Sequence, residues 1–183
     1  MSDPTRTNVD PSRAPWTPPI PGDESARLAA LAAVPCEKLV QSDLLEVIAE
    51  ALSEVFSVPN ASISILDARR ESFLVATEPD QCGGDRDHAF CAHTILADRP
   101  FVIEDAGDDP RFRNHPKVIA ENIRFYAGAP VREPSGHAVG AICVRDTRPR
   151  RVDADKLRIL DRFADAATAA LRTEIDRVTL ESR

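Results

Sequence analysis

Apolar residues recur with a regular period only beyond residue 22. ESARLAALAAV, rich in Ala and Leu, predicts a short helix that ends before Pro35. In SDLLEVIAEALSEVF, residues Leu44, Ile48, Ala51, Leu52 and Val55 recur at intervals of four, three, one and three. That is the spacing of a single helical face, with Ser42 or Asp43 as its N-cap. VPNA breaks the helix and the period falls to two. In ASISILDA, Ile63 and Ile65 alternate with Ser62 and Ser64, the pattern of a half-buried strand. DARR turns the chain into a second strand at ESFLVAT.

The middle of the chain is less regular. EPDQCGGDRD reads as a polar loop, with Asp87 placed to cap a helix through HAFCAHTILAD. RPFVIED predicts a short strand, and AGDDPRFRNHPKVIAEN a long loop with a helical turn. Pro110 after Asp109 suits a cap followed by proline at the first helical position. IRFYAGAPV alternates again: Ile123, Phe125, Ala127, Ala129 and Val131 share one face, and Arg124, Tyr126 and Gly128 the other. REPSGH makes a turn, and AVGAICVRD returns as the last strand of an antiparallel hairpin. From Asp153 a long helix presents a seam of Leu157, Leu160, Ala164, Ala167, Leu171, Ile175 and Val178, close to an a/d repeat suited to packing on another helix. Two helices before and one after about five antiparallel strands predict an α+β fold.

Composition adds limits. Residues 1–22 hold six of the fifteen prolines and too few apolar side chains to offset ordering, which predicts a disordered tail before a single domain over 23–183. No apolar run is long enough to span a membrane and the N-terminus lacks an apolar signal segment, so a cytoplasmic protein is expected. The net charge of −7 argues against nucleic acid as a partner. The basic cluster Arg145, Arg148, Arg150 and Arg151 is broken by Asp146 and reads as a solvated turn at a strand end. The four cysteines, Cys36, Cys82, Cys91 and Cys143, form no CxxC pair and read as reduced thiols.

The order and spacing of FCAHTIL, PFVIEDAGDDPRFRNHP, IRFYAGAPV and AVGAICVRDTRPR resemble a GAF domain, the small-ligand sensor module of signalling proteins. The resemblance covers about residues 24–178 and is nearest to GAF domains that precede sensor histidine kinases and diguanylate cyclases. It implies a central antiparallel sheet with the N- and C-terminal helices on one face. A roof built from Gln81–Asp98 and EDAGDDPRFRNHPKV would cover a ligand pocket on the other. It also implies a homodimer through the terminal helices. The departures from the family are specific. There is no Asn-Lys pair of the kind found in cyclic-nucleotide GAF domains, and no cysteine follows the NHPKVIAEN loop, where bilin-binding GAF domains carry theirs. The surroundings of Cys91 differ from the Val-Cys-Gly context of GAF-type free methionine sulfoxide reductases. CGGDRD matches a GGDEF signature only in two glycines and an aspartate.

HAFCAHTIL packs His88, Cys91 and His93 into nine positions, which raises metal or nucleophilic chemistry. On a helix His88 and Cys91 share a side, while Cys91 and His93 are about 200° apart. A metal would therefore need a distant ligand such as Cys82 or His115, and no metal is expected. Cys91 reads as core. His93 reads either as a structural histidine bonding a backbone carbonyl or as a ligand contact. Thr94 bonds back to its own helix or joins the pocket. Arg124 and Tyr126 either line the pocket with His93, holding an anionic or aromatic ligand, or Arg124 pairs with Asp105 or Asp108. The candidate ligand-binding residues are thus His93, Arg124, Tyr126, Cys91 and Thr94. The expected function is a stand-alone, non-catalytic sensor that binds an unidentified small molecule, dimerises and passes the signal to a protein partner, with no cofactor specified. The alternatives are a thiol reductase of free methionine sulfoxide using Cys82 or Cys91, and an interaction domain whose pocket is filled by its own side chains.

Overall fold

The computed structural model describes residues 14–40, 42–78 and 83–181. The first thirteen residues of the expected tail lie outside it, as do Cys82 and the start of the expected roof at Gln81. Six antiparallel strands form one sheet in the order β3-β2-β1-β6-β5-β4: β1 Asn60–Leu66, β2 Arg70–Ala76, β3 Gly84–Asp85, β4 Phe101–Ile103, β5 Phe125–Arg132 and β6 Ala138–Asp146. The fold class is the expected α+β arrangement with one strand more. The addition, β3, lies inside the stretch read as a polar loop and pairs through Arg70 with Asp85 and Glu71 with Gly84. One glycine and one aspartate carry no alternation from which to read a strand.

Helices α1 Glu24–Ala32, α2 Cys36–Leu39, α3 Asp43–Phe56 and α6 Ala154–Glu181 belong to the core cluster on one face of the sheet, with Ile63, Phe125, Ala127, Val131 and Val144. Ser42 caps α3 by accepting from Leu45 N, and Asp153 caps α6 by accepting from Lys156 N at 2.8 Å. The expected face of α3 is corrected. The helix buries Leu45, Ala49, Leu52 and Phe56, whereas Leu44, Val47 and Val55 are 43%, 61% and 44% exposed. Its sequence carries apolar residues on two sides, and the side holding Phe56 and two leucines removes more apolar area from water.

The opposite face carries a second core cluster that includes Leu66, Phe90, Cys91, Ile95, Phe112, Tyr126, Ala141 and Cys143. It covers the polar side of β1, so Ser62 and Ser64 are 1% and 0% exposed, and β1 is buried on both faces rather than half-buried. Two short helices build this layer: α4 Cys91–Thr94 and α5 Pro116–Glu121. The helix expected through HAFCAHTILAD is reduced to one α turn. It follows a 3-10 turn at Arg86–His88, capped by Asp85 in place of Asp87. The cap-and-proline pair that starts a helix is His115–Pro116, with His115 Nδ1 accepting from Lys117 N at 3.0 Å. Asp109 instead closes a turn, accepting from Arg111 N at 2.9 Å. Among the described residues no helix is long and apolar enough to cross a membrane.

Candidate functional site under the roof

Tyr126 is the first residue of β5 on the roof side, and three of the five candidate residues meet around it. Its hydroxyl lies 2.6 Å from Thr94 Oγ1 and donates to Cys91 Sγ at 3.3 Å. With the phenol proton committed to sulfur, Thr94 donates to the phenol oxygen. Cys91 in turn donates to Cys143 Sγ at 3.7 Å, and Cys143 Sγ lies 3.3 Å from Ser62 Oγ. The result is a buried polar chain from α4 through β5 and back to β6 and β1, every member at most 2% exposed. Gly128 makes room for it: a Cβ there would stand 2.3 Å from the Tyr126 hydroxyl oxygen. Burial and the neighbouring Cys91 and Cys143 sulfurs push the phenol well above its ordinary range, so Tyr126 stays protonated.

His93 leaves α4 in the other direction. Its Nε2–H donates to the Trp16 carbonyl at 2.8 Å, and its ring stacks on Phe101 with centroids 5.4 Å apart and meets Phe112 edge-on at 5.1 Å. Burial draws its pKa below the usual value, the Trp16 carbonyl opposing that and Arg111 adding to it. Trp16, within the Pro-rich stretch, packs against the roof cluster. His115 stacks on Phe90 at 4.6 Å and approaches Trp16 at 6.0 Å and His88 at 6.1 Å. Burial, with Lys117, His88 and His93 nearby, lowers it to about 4.

Arg124 stands apart from this group. It precedes β5 and forms a two-pronged pair with Asp105, Nε and Nη2 donating at 2.7 and 2.9 Å. A Cβ on Gly107 would lie 2.6 Å from the guanidinium carbon, so the pair uses space that only glycine leaves. The hydrogen bonds from Arg124 hold the Asp105 carboxyl below its usual range. The alternation that placed Arg124 with Tyr126 fails because the strand begins one residue later, at Phe125.

Between roof and sheet there is a cavity of about 10 Å³, lined by Glu71, Phe73, Phe90, Cys91, Lys117, Tyr126, Cys143 and Arg145, room for on the order of one water molecule. Phe90 fills the space beneath the roof, its ring 5.3 Å from Tyr126 and 5.6 Å from Phe112. Glu71 is 2% exposed and faces Lys117 Nζ at 3.5 Å. Arg145 stacks over Phe73 at 5.8 Å, and Arg150 pairs with Asp146, so half of the basic cluster is built into the fold. Sequence reasoning missed Cys143 and Gly128. The hairpin register places them opposite one another, and their strand parity with Tyr126 was the available signal.

The order of strands, the terminal helices on one face and the roof over the other define a small α+β domain with a covered sheet. The GAF domain model matches residues 42–171, and the chain belongs to the GAF domain family. A cyclic di-GMP phosphodiesterase of Pseudomonas aeruginosa is 38% identical over 159 residues, a match that takes in 86% of this chain and 27% of that protein. The chain therefore corresponds to about a quarter of that relative's length. In structure it resembles the GAF domain of an Acinetobacter phosphoenolpyruvate-protein phosphotransferase (TM-score 0.58, 16% identity, covering 80% of this chain and 92% of that one). It also resembles the cyanobacteriochrome receptor PixJ (TM-score 0.60, 12% identity, 74% and 95% covered). Signalling proteins thus surround it, as expected. The expectation that this chain is a non-catalytic module is corrected: the relative it matches over 27% of that protein's length is named an enzyme.

Proposed function

We propose that this chain is a cytoplasmic regulatory GAF module of cyclic di-GMP signalling, which acts as a homodimer through α3 and α6. The carrying observation is the 38% identity to part of a cyclic di-GMP phosphodiesterase, spread over 86% of the chain. The exposed stripe Leu44, Val47 and Val55 on α3, beside the long α6, supports a helical contact between copies: it is an apolar surface that a second copy would remove from water. With Phe90 and Tyr126 occupying the space beneath the roof, the module responds to a change of roof packing or to a partner. A large preformed ligand pocket is not needed for either. Such a response needs two packings with different affinity for the effector.

A graft tests this reading. In the Pseudomonas phosphodiesterase, the matched region is replaced by this chain and hydrolysis of cyclic di-GMP is compared with a deletion of the region. Restored turnover, lost again with Val47→Asp, supports the regulatory dimer; turnover equal to the deletion rejects it. The purified chain is assayed against cyclic di-GMP in parallel. Hydrolysis by the chain itself would place catalysis in this module beside regulation.

A further inference from the structure

We propose that Cys91 and Cys143 form a reversible thiol–disulfide modification site that reacts with hydrogen peroxide and ties the roof to the central sheet. The sulfurs are already neighbours at 3.7 Å, and a bond of about 2.05 Å asks them to close by roughly 1.7 Å. Cys143 sits on β6, fixed between β1 and β5, so the movement falls on α4, a single helical turn. Both cysteines line the cavity of about 10 Å³, which places space of on the order of one water molecule beside both sulfurs. Hydrogen peroxide carries one oxygen more than water, so its entry needs the wall of this cavity to give. Lys117, whose side chain is 17% exposed, lines the cavity from α5 and is the side chain that would swing aside.

Charges and hydrogen bonds divide the roles. Cys143 accepts from Cys91, which lowers its pKa despite burial, and Arg145 and Ser62 add to this; Cys91 holds the shared proton and is pushed up. The Cys143 thiolate attacks one peroxide oxygen. The proton that the Cys143 thiol gives up on forming the thiolate passes to the departing oxygen: an S–O bond forms, the O–O bond breaks, and hydroxide plus that proton leaves as water. Cys91 sulfur then attacks Cys143 sulfur. The S–S bond forms, the S–O bond breaks, and hydroxide leaves as a second water with the Cys91 proton. Two electrons pass from the thiols to the peroxide, and a dithiol reductant reverses the modification. This inference stands apart from the cyclic di-GMP reading, since it concerns only the chemistry beneath the roof.

The experiment treats the reduced, folded chain with hydrogen peroxide and follows intact mass, free thiols and non-reducing peptide maps. The expected result is a loss of about 2 Da and of two thiols, with a linked Cys91–Cys143 peptide that disappears after dithiothreitol. A Cys36→Ser/Cys82→Ser variant keeps the loss, while Cys91→Ser and Cys143→Ser abolish it. Because α4 moves, emission from Trp16, the sole tryptophan, shifts on oxidation and returns on reduction. If the serine variants do not fold, the peptide map of the unaltered chain decides alone. Oxidation confined to Cys36 or Cys82, oxygen addition without a link, or a link formed only in denaturant overturns the proposal.

Discussion

Thr94 Oγ1 and the Tyr126 hydroxyl lie 2.6 Å apart, both buried, and this contact joins the roof turn α4 to strand β5. Tyr126→Phe removes the shared oxygen and leaves the Thr94 hydroxyl without that partner. The expected cost is about 1–3 kcal/mol of unfolding free energy, the range for a buried polar group left unpaired. Thr94→Val combined with Tyr126→Phe should cost less than the sum of the single changes, read by urea denaturation in a double-mutant cycle. Additive costs would show that the two side chains do not act together.

Gly128→Ala drives a methyl group to 2.3 Å from the Tyr126 hydroxyl oxygen and 2.8 Å from its ring carbon. Overpacking of this kind costs about 1–3 kcal/mol. In the Tyr126→Phe background the nearer clash is gone, so the same alanine should be better tolerated. Equal cost in both backgrounds, measured by thermal unfolding, would contradict the assigned packing.

The carboxylate of Glu24 binds Arg27 through Nε and Nη2 at 2.8 and 2.9 Å and reaches Arg86. Burial raises its pKa, but the hydrogen bonds and charges of the two arginines outweigh this and bring it to about 2 from 4.5. The folded value lies below the unfolded one, so this stabilisation is complete above pH 4.5 and is lost as pH falls towards 2. Glu24→Gln should flatten the stability profile in that window. At neutral pH it should cost on the order of 2–3 kcal/mol, less than the ~3–5 for a fully buried pair because Glu24 keeps some water.

His115 titrates in a separate window. Its pKa is lowered from 6.5 to about 4, so the unfolded chain binds the proton first, and stability present above pH 6.5 declines as pH falls to 4. His115→Asn keeps a capping side chain for α5 and should remove part of this slope, leaving a residue from His93, whose pKa is also lowered. Unfolding free energies between pH 7 and 4, with an NMR titration of the imidazoles, check both signs. An unchanged slope in the asparagine variant would rule out His115 as its source.

How much of the site was legible depended on periodicity. Strand β5, Phe125–Arg132, lies within the alternating run IRFYAGAPV, so the faces of Phe125, Ala127 and Tyr126 could be read directly. Arg124 could not: it sits one residue before the strand, where alternation no longer governs direction, and Asp105 and Gly107 decide where its guanidinium goes. The roof gave the weakest pattern, since α4 is a single turn held by Phe90, Tyr126 and Trp16 rather than by its own helical period.

The sequence by itself determined the α+β class, the GAF family, the terminal helices and the central hairpin, because long amphipathic periods and spaced motifs are local properties of the chain. Only the tertiary structure decided which side of α3 is buried, that β1 is covered on both faces, and that Cys91 meets Cys143 across 52 residues. Those outcomes depend on which surfaces compete for the same core. Leu45, Leu52 and Phe56 pack inward and leave Leu44 and Val47 at the surface, although both sides of the helix are apolar.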